Sequence, residues 1–124
     1  MTLRFHPEHT WARDDGQGIV TVGITQHAQD TLGDIVFTDL PTIGKSVSAG
    51  AVSCVVESVK TAADVFAPVS GTVMEVNEAL RSDPSLANSA PESDGWFYKL
   101  RMDDPAELLA LMDEAVYRPF AASA

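Results

Sequence analysis

The chain has 124 residues, 45% of them hydrophobic, and eight basic against eighteen acidic side chains give a formal net charge of −10. That length suits one ordinary domain with a core that needs no disulfide or metal staples. The charge argues against nucleic acid, whose binding rests on phosphate neutralisation by Lys and Arg. It argues equally against an anionic membrane surface, and self-repulsion predicts a monomer.

From the N-terminus, Leu3-Arg4-Phe5 reads as a short strand stopped by Pro7. Asp14-Asp15-Gly16 is a turn signal, and Gly18 to Ile24 alternates and is β-branched, so a hairpin is predicted around residues 14–18. Thr25 is the expected cap of a short helix through Leu32, with Ala28 and Leu32 on one face and Gly33 as its stop. Strands are predicted over 34–38, 52–59, 62–66 and 72–76, with a turn region at 47–50. After Asn77 the period changes to short helical pieces, with Asp83-Pro84 as a helix start. Residues 89–95 read as loop and 96–102 as the last strand. Asp104-Pro105 with Glu107 predicts a capping box. Leu108, Leu111, Met112 and Ala115 then form the stripe of one amphipathic helix over about 105–117, ended by Pro119.

Many short strands without a crossover helix exclude a parallel sheet and predict an antiparallel sandwich or barrel. We expect a single domain over 1–124 with a β core at about 18–103. A faint echo, Asp34-Ile35-Val36-Phe37 against Asp64-Val65-Phe66, is compatible with two related β-halves.

Most familiar chemistry is missing. His6-x-x-His9 is the one close metal-type pair, and partly exposed histidines beside Pro7 explain it more simply. The single Cys54 lies inside a strand pattern, as a small buried hydrophobe would, and leaves no internal disulfide. There is no nucleophile elbow and no phosphate-binding glycine loop. No apolar run reaches the length of a membrane span. The segment MTLRFHPEHTWAR lacks the apolar region of a signal peptide, so the expected location is cytoplasmic.

Lys60 remains, one of three lysines. It stands between two β-branched runs, where a hairpin turns, yet Val59-Lys60-Thr61-Ala62 carries no Gly, Asn or Asp. Glu57 and Asp64 frame it. A catalytic lysine would want burial or a cationic neighbour to lower its pKa; this one is displayed, as a modification acceptor must be.

Glu57-Ser58-Val59-Lys60, with Asp64 and Pro68-Val69-Ser70-Gly71 downstream, resembles the lipoyl attachment segment of the glycine cleavage system H proteins. The resemblance extends through His9-x-Trp11, Val22-Gly23-Ile24-Thr25, Ala28-Gln29, Leu32-Gly33-Asp34, Val76 to Leu80, Asp83-Pro84, Asn88 and Gly95-Trp96. It implies a mainly β fold, a barrel-sandwich hybrid of the lipoyl/biotinyl type with short helices and a C-terminal helix. It implies lipoate in amide linkage on Lys60, with Glu57, Ser58, Val59 and Gly71 recognised by the lipoylating enzymes. By the same resemblance the chain is a non-catalytic carrier. It would take an aminomethyl group from a pyridoxal-phosphate glycine decarboxylase to a tetrahydrofolate-dependent aminomethyltransferase. A flavin (FAD) dihydrolipoyl dehydrogenase would then reoxidise the arm.

The resemblance also implies a surface cleft that shelters the loaded arm, where Asp64 would pair with the cationic amine. The family commonly has His-Glu-Trp where this chain has His9-Thr10-Trp11, and often a His at the place of Thr31. One carboxylate and one imidazole are therefore expected to be absent from that cleft, with weaker sheltering as the result. Two other readings stay open: an H-like protein acting mainly in lipoyl storage or relay, and an unmodified β-rich interaction domain. A biotinyl carrier is disfavoured, because Val59 and Thr61 stand where methionines would flank the lysine.

Overall fold

The computed structural model describes residues 3–123. Alternating, β-branched stretches form the strands β1 (Leu3–His6), β2 (Thr10–Gly16), β3 (Ile19–Ile24), β4 (Ile35–Asp39), β5 (Ser46–Val47), β6 (Val52–Ser58), β7 (Ala62–Phe66), β8 (Gly71–Val76) and β9 (Tyr98–Met102). The helices are short: α1 (Gln26–Leu32), α2 (Ala79–Ser82), α3 (Leu86–Ser89), α4 (Ala106–Leu109) and α5 (Glu114–Ala122). None is long and apolar enough to cross a membrane.

All strand pairs are antiparallel, as the absence of crossover helices predicts. They form a six-stranded sheet in the order β1-β2-β3-β9-β8-β5 and a three-stranded sheet β4-β6-β7. Neither sheet closes on itself, so the flattened barrel is an open two-sheet sandwich. The six-stranded sheet reaches back to Leu3, beyond the expected start of the core at about residue 18. Val20, Val22 and Ile24 from β3 meet Cys54, Val56 and Val65 from the small sheet in the main core. A second cluster of Phe5, Trp11, Tyr117 and Ala121 covers the far side. There the Trp11 ring packs on Gly23, where a β-carbon would come within 2.7 Å of it.

The C-terminus departs from the sequence reading. The expected single helix over 105–117 is two pieces, because Met112 pairs with Phe5 in a two-way backbone bridge (2.8 and 3.0 Å). Asp113 then starts α5 afresh, its carboxylate accepting from the Val116 N–H at 3.0 Å. Pro119 lies inside α5 and does not end it. The carbonyl it leaves without an N–H belongs to exposed Ala115, within reach of solvent. Glu107 does not close a capping box; its carboxylate accepts from the Ser70 N–H and hydroxyl, at 2.8 and 3.1 Å, and ties α4 to the turn before β8. Asp83 lies between α2 and α3, and its carboxylate accepts from the Ser85 N–H and hydroxyl as a cap would, although the regular turn of α3 begins only at Leu86.

Candidate functional site

The β6–β7 hairpin carries Lys60 at its tip, and Ser58 makes the turn. The Ser58 side chain is nearly buried, and its Oγ accepts from the Lys60 and Thr61 N–H groups at 3.2 Å each. The Ser58 N–H donates to the Thr61 carbonyl at 2.8 Å, and the Val59 N–H donates to Asp34 at 2.9 Å. A hydroxyl just before the turn thus supplies the chemistry that the central positions lack. Val59 and Glu57 point outward, Val59 being 66% exposed. Lys60 is exposed, and its Nζ donates to the Thr31 carbonyl at the end of α1, 3.3 Å away. Its stem lies over Gly33, where a β-carbon would come within 2.9 Å of Cε.

Thr31 also lines a cleft of about 260 Å³ between α1, β7 and the turn before β2. That is close to the small end of ligand pockets, about 300 Å³. Its apolar floor comes from Ile24, Ala28, Leu32, Val56, Ala63 and Val65. Glu8, His9, Thr10, His27, Thr31 and Asp64 supply its polar groups. The three residues expected around a loaded arm, Asp64, Thr10 and Thr31, therefore share one cavity, with the Lys60 amine at its rim.

Besides Asp64, Thr10 and Thr31, the cleft holds groups that the sequence reading did not place there. A carboxylate is present despite Thr10, because Glu8 lines the cavity from the turn two residues earlier. Imidazoles are present despite Thr31, from His9 and from His27, one turn back on the same helix face. The His9 and His27 rings lie 4.3 Å apart. His9 is thus a cleft residue, and no group of three metal-type ligands occurs among the described residues. Thr10 is 1% exposed and its hydroxyl has no partner among the described residues. The Thr31 hydroxyl donates back to the His27 carbonyl at 3.0 Å. Spacing did offer a signal for His27: once Thr25 caps α1, residues 27, 28, 31 and 32 share a face.

The cleft walls are pinned from behind. Thr25 Oγ accepts from the Ala28 N–H at 3.2 Å as the predicted cap. Asn88 donates to Gln29 Oε1 and the Gly33 carbonyl at 3.0 and 2.9 Å, and accepts from the Ile35 N–H at 2.8 Å. On the other side Arg118 of α5 binds Glu92 through both oxygens, at 2.7 and 3.1 Å, and Glu92 also accepts from the Gln26 N–H. Burial pushes the Glu92 carboxyl up, yet the hydrogen bonds and the Arg118 charge outweigh it and hold it low. Burial, then neighbouring His27, lowers His9 against the pull of Glu8, which favours the neutral imidazole.

Gly71 lies in the sheet, where a β-carbon would collide with the Arg101 carbonyl of β9, so its small size has a packing cause. Cys54 is buried and burial raises its thiol to about 12, which keeps it protonated.

Fold and site together define a barrel-sandwich-hybrid domain that displays one lysine on a hairpin tip beside a cleft. The glycine cleavage H-protein family model matches residues 3–123. The glycine cleavage system H protein of Phenylobacterium zucineum is 51% identical over 121 residues, 98% of this chain and 99% of that one. Its counterpart from Klebsiella pneumoniae is 50% identical over 115 residues, 93% of this chain and 89% of that one. The crystal structure of a glycine cleavage system H protein from Mycobacterium marinum superposes with a TM-score of 0.86 at 35% identity, covering 95% of this chain and 94% of that one. The chain belongs to the glycine cleavage H-protein family.

Proposed function

We propose that Lys60 is the lipoyl attachment site and that this chain is a monomeric cytoplasmic carrier. It takes the aminomethyl group from the pyridoxal-phosphate glycine decarboxylase to the tetrahydrofolate-dependent aminomethyltransferase, and presents the arm to dihydrolipoyl dehydrogenase. The observation that carries the reading is the placement of an exposed lysine amine at the rim of a cleft lined by Asp64 and Glu8. The residues fit lipoate: the tip amine is open to acylation, and the cavity beside it has an apolar floor with polar groups along its walls. When bound, lipoate supplies a cyclic disulfide whose small ring holds the dihedral away from the relaxed value near 90°.

The chain's own residues then do three things. The Ser58 turn fixes the point from which the arm leaves. The floor of Ile24, Leu32, Val56 and Val65 excludes water from whatever enters. Asp64 and Glu8 hold the cargo's amine as an ammonium, so its lone pair is unavailable to expel the sulfur.

Lipoylation in vitro followed by intact-mass measurement tests the attachment. One lipoyl mass is expected, lost in Lys60→Arg; no adduct, or an adduct that survives that change, overturns it. Asp64→Asn and Glu8→Gln should each hasten hydrolysis of the loaded form several-fold. An unchanged rate in both removes the sheltering role.

A further inference from the structure

His9 adopts φ 68°, in the left-handed region that residues other than glycine seldom enter. Strain of this kind persists where surrounding contacts fix it, and it clusters at functional sites. Here the His9 carbonyl accepts from the Thr25 N–H at 3.1 Å, and the ring packs at a tilt of 31° against His27, centroids 4.3 Å apart. Its Nδ1 lies 2.7 Å from the Tyr117 hydroxyl.

Tyr117 Oη lies 2.8 Å from Thr25 Oγ, which also accepts from the Ala28 N–H. A Tyr117 proton given to Thr25 leaves the phenol oxygen to accept from His9, an arrangement in which the imidazole proton sits on Nδ1. A neutral imidazole carries only one proton, so Nε2 keeps a free lone pair. His9 lines the cleft together with Glu8 and Asp64. A primary ammonium has three N–H donors, and two carboxylates satisfy two of them.

We propose that His9 Nε2 is the third acceptor for the ammonium of the cargo, and that Tyr117 is the positioning residue that sets its tautomer. The identity of the cargo rests on the carrier function proposed above; the tautomer is a property of the unmodified chain. The C-terminal helix α5, remote in sequence from the lysine, thereby takes part in holding what the lysine carries. Phe5 stacks on the Tyr117 ring at 4.4 Å, so Tyr117→Phe keeps the packing and removes only the hydroxyl.

The test is nitrogen-15 NMR of the histidines in the unmodified full chain at neutral pH, with methylammonium as the probe. In the parent protein His9 should be protonated on Nδ1, and methylammonium should shift its Nε2 resonance saturably. In Tyr117→Phe the Nδ1–H form should lose its preference and the probe should bind several-fold more weakly. An Nε2–H tautomer in the parent protein, or probe binding that Tyr117→Phe leaves unchanged, overturns the proposal. Failure of lipoylation at Lys60 would remove the carrier reading and leave these spectra as they are.

Discussion

Ser58 shapes the tip from within, and that makes it a residue with two measurable effects. Its Oγ accepts from two N–H groups and its own proton reaches the Thr61 carbonyl at 3.2 Å. Ser58→Ala should therefore cost about 1 kcal/mol of folding stability, the usual net worth of such hydrogen bonds. It should also slow lipoylation several-fold, because the amine would no longer be offered from one fixed turn. Urea unfolding and the time course of adduct mass measure the two effects, and Ser58→Thr should restore both. A normal modification rate in Ser58→Ala would show that the lipoylating enzyme shapes the tip for itself. Glu57 and Val59, which point outward, are the neighbours left for an enzyme to read.

Among the elements, α5 depends on a junction that the sequence reading did not show. Arg118 joins Glu92 and Glu114, and its guanidinium lies over the rings of Phe5 and Tyr117, at 4.9 and 5.7 Å. Glu92→Gln should cost about 1 kcal/mol, since the pair is partly open to solvent. Hydrogen exchange should quicken at the α5 amides and stay unchanged in β6 and β7; uniform protection would refute the junction. Here lies the boundary of what could be read from the chain. Strands, the Thr25 cap and the displayed lysine were legible because each is written in a local pattern. Asp64 was assigned to the cleft by the family resemblance and its charge, four residues after Lys60 in the same hairpin. On the opposite cleft wall the resemblance pointed to Thr10 and Thr31 alone: Glu8 and His9 sit in an irregular turn, and their meeting with His27 depends on how β2 and α1 pack. The break at residues 110–113 was hidden for the same reason, as Met112 keeps an apolar period while pairing with distant Phe5.

For the whole molecule, acid should act in two stages of one sign. Burial holds His6 and His9 below their ordinary value of 6.5. Between that value and their lower folded values the unfolded chain binds more protons, so stability falls as the pH drops. Further down, Glu92 and Asp15, held below their ordinary 4.5 and 3.8, contribute stability that is lost as they too take up protons. Melting temperature should thus decline steadily from about pH 7 downward, and His9→Gln should flatten the upper part of that decline. A level melting temperature down to about pH 5 would contradict this. The resting place of Lys60 carries a different consequence. Its ammonium is moored to the last turn of α1, and the acylation proposed for Lys60 would convert that ammonium into a neutral amide. The amide would keep one N–H for the Thr31 carbonyl but no charge, so the mooring would weaken. Lipoylated and bare chains would then differ in how firmly this side chain is held before any partner arrives. A lipoylating enzyme would meet an amine already berthed at one spot and leave a group held there less firmly.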